Sequence, residues 1–273
     1  IEKKNTLPIL SNVLLELKNG KLIVVATDLD LIFYDEISDV KVLKEGATTT
    51  SATVLYDILR KISSNSEINF NLRSENKLSL NADNSDFNLL CLPTDNFPNF
   101  SNDFSGDQLK LKKSDLLALL NKTKISISND DTRHYLSGIF FHLTESKEKH
   151  FLTGVATDTH RLSSSSVEIS KDVSLSSLIL PKKTVFQLCN LLQDSEGEIL
   201  VQTSETKIQF MIDSCKLISK VIDGKFPDYK KVVPLNNNKT LIVSSKEFID
   251  SIERVTTVSI DRKDSTSVIF YLL

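Results

Sequence analysis

The sequence predicts an α+β fold built from a repeated unit, on three observations. Apolar and polar residues alternate through several short segments, the period of a strand with one buried face. Helical spacing of apolar residues appears in only a few places. The chain also resembles itself at an offset of about 130 residues, and a repeat of that length sets the architecture before any motif is consulted.

Taken in chain order, Lys21–Thr27 is the first clear alternating strand, and the first helical spacing follows at Val54, Leu55, Ile58, Leu59 and Ile62. Alternation returns at Glu67–Leu72, Lys77–Ala82 and Asp86–Leu92, each bounded by turn-prone Asn, Asp, Ser or Gly. A strand opening at Leu109 leads into a helix carrying Leu116, Leu117, Leu119 and Leu120. Ser114 is expected to cap that helix, with Asp115 favourable at its positive end. A third helix carries Val185, Phe186, Leu188, Cys189, Leu191 and Leu192, and Pro181 precedes it where a missing N–H costs little. A fourth carries Phe248, Ile249 and Ile252.

The self-similarity rests on several anchors in one order. Val25-Ala26-Thr27-Asp28 recurs as Val155-Ala156-Thr157-Asp158, 130 residues on (158 − 28). Leu10-Ser11-Asn12-Val13 recurs as Leu136-Ser137-Gly138-Ile139, Phe97-Pro98-Asn99-Phe100 as Phe226-Pro227-Asp228-Tyr229, and the helix near Val54 as the one near Val185. A third copy opens where Leu109–Leu120 is matched by Leu241–Ile252. The expected division is therefore 1–105, 106–236 and 237–273. The repeat places the first unit's opening about 20 residues before Ile1 and leaves the third unit about 100 residues short at Leu273, with Asp264–Leu273 fitting the second copy poorly.

Composition narrows the function classes. With 40% apolar and 25% charged residues in 273, collagen, coiled coil and wholesale disorder are excluded. No apolar run approaches the roughly 18 residues of a membrane span, and Ile1-Glu2-Lys3-Lys4 does not resemble a signal peptide. Cys91, Cys189 and Cys215 are odd in number and lie in apolar stretches, so buried thiols in a reducing, cytoplasmic compartment are expected and no membrane partner is. Signatures for phosphate loops, dinucleotide folds, nucleophile elbows and zinc sites are missing, and His134, His142, His150 and His160 have no ligand spacing; neither a metal nor a cofactor is expected. Asp158-Thr159-His160-Arg161, immediately after an apolar strand, reads on spacing alone as a polar turn or as a site. The charge of −3, from 33 Lys+Arg against 36 Asp+Glu, does not recommend a nucleic-acid partner. Lysines recurring in equivalent places of repeated units, such as Lys110, Lys112 and Lys113, Lys122 and Lys124, or Lys182 and Lys183, would nevertheless concentrate positive potential on one surface.

Six segments carry a family resemblance: Asn5-Thr-Leu-Pro-Ile-Leu-Ser-Asn12, Ala26-Thr-Asp-Leu29, Gly46-Ala-Thr-Thr49, Arg133-His-Tyr-Leu-Ser-Gly138, Val155-Ala-Thr-Asp-Thr-His-Arg-Leu162 and Asp223-Gly-Lys-Phe-Pro-Asp-Tyr229. Together they resemble the sliding clamps of bacterial DNA polymerase III, and the likeness runs from Ile1 to Arg262. The resemblance implies a DNA-clamp fold, with helices lining a ring and antiparallel sheets outside. It implies a non-catalytic homodimer that encircles double-stranded DNA without reading sequence and confers processivity on the replicative polymerase subunit. Further implied partners are the clamp loader, repair polymerases and mismatch-repair proteins.

The family's partner-peptide pocket falls on Arg133, Leu136, Thr157, His160, Arg161, Leu162, Pro227, Lys231 and Val232. Leu136, Leu162, Pro227 and Val232 would supply the apolar cavity, with His160 and Arg161 at its rim. Thr159 stands where the family commonly has Gly, and Lys231 where Arg is frequent. DNA-facing positions fall on Lys4, His134, Tyr135 and Lys183, His134 replacing a usual aromatic, and Phe87 matches an aromatic at the dimer interface. Two other readings remain at this point: a repeat-built scaffold without DNA, and a hydrolase using Asp158 and His160 with the run Ser163–Ser166.

Overall fold

The computed structural model describes residues 7–100, 104, 106–193 and 196–257. They form two compact bodies, one ending at Phe226 and one beginning at Pro227. The first contains β1 (Asn12–Lys18), β2 (Lys21–Thr27), β3 (Leu31–Ile37), β4 (Gly46–Ser51), α1 (Ala52–Leu59), β5 (Ile68–Ser74), β6 (Lys77–Ala82) and β7 (Ser85–Leu92). After β8 (Gln108–Lys112) and α2 (Lys113–Thr123), that series recurs as β9 (Gly138–Ser146), β10 (Lys149–Thr157), β11 (Leu162–Ile169), β12 (Leu178–Pro181), α3 (Lys182–Leu192), β13 (Glu198–Thr203), β14 (Lys207–Ile212) and β15 (Cys215–Lys220). The self-similarity of the sequence is thus a similarity of element order. In the second body, described by itself, a short 3-10 turn, Tyr229–Val232, precedes α4 (Ser245–Thr256).

The strands expected at Lys21–Thr27 and Lys77–Ala82 have those bounds, but both are covered on two faces: Leu22 and Val24 of β2 pack on the first copy's core and Ile23 and Val25 on the cluster around Ile218, while β6 buries Ser79 opposite Leu78 and Leu80. Helix α2 departs from expectation at its start. It opens at Lys113 with Lys112 as N-cap and no side-chain cap, so Ser114 lies inside the helix, its hydroxyl 3.5 Å from the Asp115 carboxylate. The cause is tertiary: Lys113, 1% exposed, reaches the turn between β14 and β15, where its Nζ donates to Asp213 Oδ2 at 2.7 Å.

The second copy's core is built on both helices. Leu116, Leu119 and Leu120 of α2 and Val185, Leu188 and Leu192 of α3 pack with Phe141, Leu152 and Ala156 of one sheet and Ile199, Val201, Ile208 and Phe210 of the other. Burying each such leucine stabilises by about 1.5–3 kcal/mol. The first copy's core is smaller and gathers Val13, Leu15, Leu78, Leu80, Ala82 and Leu89 around Leu55 of α1. Ser51 caps α1 by accepting from Val54 N at 3.4 Å.

The two copies share a sheet. Eleven strands run in the order β5-β6-β7-β4-β1-β2-β3-β15-β14-β13-β8, while β11-β10-β9-β12 form a second sheet of four. The crossing point is β3 against β15, antiparallel, with Leu31 opposite Ser219 and Asp35 opposite Cys215. Ile218 of β15 packs among Ile9, Leu10, Val25, Ile32 and Phe97, so the seam has an apolar core of its own. Polar contacts line it: Lys220 Nζ on Asp30 Oδ1 at 2.8 Å, Ser214 Oγ donating to Asp35 Oδ1 at 2.7 Å, and Lys216 Nζ 4.9 Å from the centroid of the Tyr34 ring. Exposed ion pairs contribute little individually. Backbone pairing and apolar burial therefore dominate the seam.

Candidate functional site

The loop between β10 and β11 is a tightly bonded turn. Asp158 Oδ1 accepts from the backbone N–H of His160 and of Arg161, both at 3.0 Å, and Oδ2 accepts from Arg161 Nε at 2.9 Å. Partial burial works to raise the Asp158 pKa, but those backbone and guanidinium donors outweigh it and hold the carboxyl below its ordinary value. Thr157 Oγ1 donates to Arg161 O at 2.8 Å and accepts from Thr159 N at 3.1 Å. This network holds Thr159 at φ 78°, a conformation costly for a β-branched residue and easy for glycine. The departure from the family noted at Thr159 is thus a departure in backbone comfort. His160 meets Asp158 through its backbone N–H while Oδ2 goes to Arg161, so these contacts serve a turn and form no Asp–His relay.

A second loop reaches this one. Arg133 donates from Nε and Nη2 to Asp130 Oδ2, both at 2.8 Å, and from Nη1 to Thr159 Oγ1 at 3.4 Å. Hydrogen bonds from the Thr132 hydroxyl and N–H, then from Arg133, keep the Asp130 carboxyl below its usual range. Arg133, Thr157 and Arg161 are therefore brought together around one pair of loops. His160 and Arg161 are exposed, Leu162 is half-buried, and Leu136 is buried at 1% exposure, so Leu136 is part of the core floor more than an open wall. Pro227, Lys231 and Val232 belong to the second body. There Pro227 is exposed, Lys231 pairs with Asp228 at 3.3 Å and Val232 is 70% exposed.

The positions expected to face DNA are split. Lys4 lies outside the described residues. The His134 and Tyr135 rings meet edge to face with centroids 5.9 Å apart. Gly224, at φ 145°, passes so close that a Cβ there would sit 3.2 Å from Tyr135 Cβ. Lys183, in the first turn of α3, forms an ion pair with Asp28 of the first copy, and neighbouring Lys182 donates to Asn129 Oδ1. The two lysines line a cavity of about 530 Å³ with Ser128, Asn129, Ser137 and Phe186. Phe87 of β7 packs against the first copy's core and lines a groove of about 440 Å³ together with Val54, Ile58 and Ile62.

Sequence reasoning missed Asp28 as a partner of Lys183 and Asp130 as the anchor of Arg133. Asp28 stood in the clearest repeat anchor; the signal was present but its partner lay 155 residues away (183 − 28). Among the described residues no group of three or more His, Cys, Asp or Glu side chains could hold a metal ion, and no helix is long and apolar enough to cross a membrane.

Comparison with known proteins decides the family. A family model described as the N-terminal domain of the DNA polymerase III beta subunit matches residues 1–101, and one described as its central domain matches residues 110–228. The chain belongs to the bacterial DNA polymerase III beta sliding-clamp family. The beta sliding clamp of Caulobacter vibrioides is 33% identical over 270 residues, 98% of this chain and 72% of that one. That of Escherichia coli is 35% identical over 236 residues, 86% of this chain and 63% of that one. Among solved structures, a sliding clamp from Bartonella birtlesii bound to griselimycin superposes with a TM-score of 0.90 at 40% identity, covering 95% of this chain and 70% of that one. The pol III beta of Caulobacter crescentus gives 0.88 at 34%, covering 94% and 70%. As a sliding clamp the chain is a non-catalytic component of the polymerase holoenzyme, and the hydrolase reading falls away.

Proposed function

We propose that this clamp pairs with a second copy of itself, encircles duplex DNA without reading its sequence, and confers processivity on the replicative polymerase in the cytoplasm. The observation that carries the proposal is the shared sheet: two copies of one unit joined edge to edge by β3 and β15, the way repeated units build a curved wall. Lys122, Lys124, Lys182 and Lys183 on α2, α3 and the residues just beyond α2 supply positive charge in an otherwise acidic molecule. Confinement by a ring needs no base contacts, and attraction to phosphates carries no sequence information. We assign the units to 1–105, 106–236 and 237–273, and Phe87 to the dimer interface with the other subunit. Lys4, His134, Tyr135 and Lys183 are assigned to the DNA side.

Topology supplies the test. Loaded by the clamp loader, the protein is expected to stay on nicked circular DNA and to leave once the circle is cut. Equal retention on both forms, or a monomer at micromolar concentration, would refute the ring.

The pocket for partner peptides is assigned to Arg133, Leu136, Thr157, His160, Arg161, Leu162, Pro227, Lys231 and Val232, serving the polymerase, the clamp loader, repair polymerases and mismatch-repair proteins. The loop bonds from Asp158 and Arg133 fix the rim, and half-buried Leu162 offers an apolar contact. Leu162→Asp places a charge where an apolar anchor would sit, so a clamp-binding peptide from the polymerase should lose tenfold or more in affinity, about 1.4 kcal/mol. Calorimetry reads the affinity, and an unchanged melting temperature shows that the fold survives. Unchanged affinity would remove Leu162 from the pocket.

A further inference from the structure

The same turn occurs twice in the first body, and its two copies spend one carboxylate oxygen differently. In the second copy, Asp158 Oδ1 takes the N–H groups of His160 and Arg161, and Oδ2 takes Arg161 Nε. In the first, Asp28 Oδ1 takes the N–H groups of Asp30 and Leu31 at 3.0 and 2.7 Å, Thr27 repeats the role of Thr157, and Leu29 repeats the left-handed backbone of Thr159 at φ 79°. Leu31 stands where Arg161 stands, so the first turn has no cation of its own in that place. Its Oδ2 is paired instead with Lys183, from the other copy.

Lys183 is thus held by a carboxylate at the edge of a basic cavity, beside Lys182 and the hydroxyl-bearing Ser128 and Ser137. Its side chain is 44% exposed, so the ammonium remains accessible from solvent while Asp28, at 11%, is the more enclosed partner. A phosphodiester oxygen and a carboxylate oxygen offer a lysine the same kind of charge-assisted hydrogen bond. The ammonium has donors enough for both, but a phosphate arriving beside the Asp28 carboxylate meets a cation already neutralised and a like charge at close range.

We propose that Asp28 is a built-in competitor for the DNA backbone: its carboxylate neutralises Lys183, and a phosphate must outweigh it to gain the full contact. This rests on the reading that the clamp binds duplex DNA through the α3 face. Asp28 is then a positioning residue that keeps the lysine in place while weakening its grip, which suits a protein that must slide. The turn does not depend on the pairing for its own integrity, since both backbone donors go to Oδ1.

Asp28→Asn tests this because it retains one oxygen for the turn and removes the charge. Binding of the full chain to a linear 30-base-pair duplex, with no loader, is read by fluorescence anisotropy from about 20 to 200 mM salt. One additional phosphate contact steepens the slope of log K against log salt by about 0.9. Asp28→Asn is therefore expected to gain that increment and to bind about threefold or more tightly at the lowest salt, while Asp28→Asn combined with Lys183→Gln loses both gains. If Asp28→Asn leaves affinity and slope unchanged while Lys183→Gln weakens binding, the competition is refuted and the DNA reading stands. A gain that persists in the double variant also refutes it. If the parent protein does not bind duplex at about 20 mM salt, direct phosphate contact through the α3 face is refuted and the competition with it, while the ring stands or falls on retention on circular DNA.

Discussion

Gly138→Ala is expected to destabilise the first body by about 3 kcal/mol or more, at the upper end for an overpacked site, because the clash is with backbone. Gly138 opens β9 opposite Pro181 of β12. A Cβ built there would lie 2.3 Å from the Leu180 carbonyl oxygen and 3.0 Å from both Leu180 C and Ile179 Cγ2. A side chain could rotate away; a strand carbonyl cannot. To make room, β12 must leave β9, and β12 runs directly into α3, whose Val185, Leu188 and Leu192 are at most 1% exposed. The hydrogen bond from Lys182 N to Ser137 O would go as well. The first copy shows how the same place is managed differently. Asn12 stands there, and its Nδ2 donates to Thr49 Oγ1 at 3.0 Å, while Thr49 donates to Leu92 O. Urea unfolding of the variant should show a midpoint lowered by more than about 1 M, with urea slopes typically 1–3 kcal/mol per M. A midpoint within error of the parent would contradict the steric argument.

The second large effect is an asymmetry between Lys113 and Asp213. The two form one ion pair at 2.7 Å, but the lysine side chain is 2% exposed and the aspartate 75%. Removing the exposed partner strands a buried ammonium, whereas replacing the buried partner with an apolar side chain of similar length removes the charge altogether. Asp213→Asn should therefore cost about 2 kcal/mol, below the range for fully buried pairs because one side is wet. Lys113→Met should cost less than about 1 kcal/mol. Asn suits the test because residue 213 sits at φ 54°, which Asn tolerates well. Chemical denaturation of both variants decides the matter. A larger loss in Lys113→Met would show that the hydrogen bond outweighs the stranded charge.

These two sites also show where the sequence was legible and where it was not. The bounds of Lys21–Thr27 and Lys77–Ala82 were legible because strand character is written in a single stretch of chain, although both strands are covered on two faces. The repeat anchors led to the turn at Asp158 because its bonds are local, all within four residues. The start of α2 did not follow from Ser114, since Lys113 answers to Asp213, 100 residues on. Lys183 is expected at a DNA-facing position, and the carboxylate that pairs with it, Asp28, comes from the other copy. Leu136 is buried at 1% exposure, and its apolar character suits a core as well as the floor of a pocket. Self-comparison reports what two copies share; contacts between the copies have no counterpart to compare.

The pairing of β3 with β15 has a mechanical consequence. Antiparallel strands pulled along their length load all their ladder bonds at once, whereas strands peeled from one end yield bond by bond. At this seam Leu31–Asp35 lies against Cys215–Ser219, and Asp30 with Lys220 closes one end while Asp35 with Ser214 closes the other. Neither end offers a frayed starting point for peeling. Tension along the strands would therefore spare this joint.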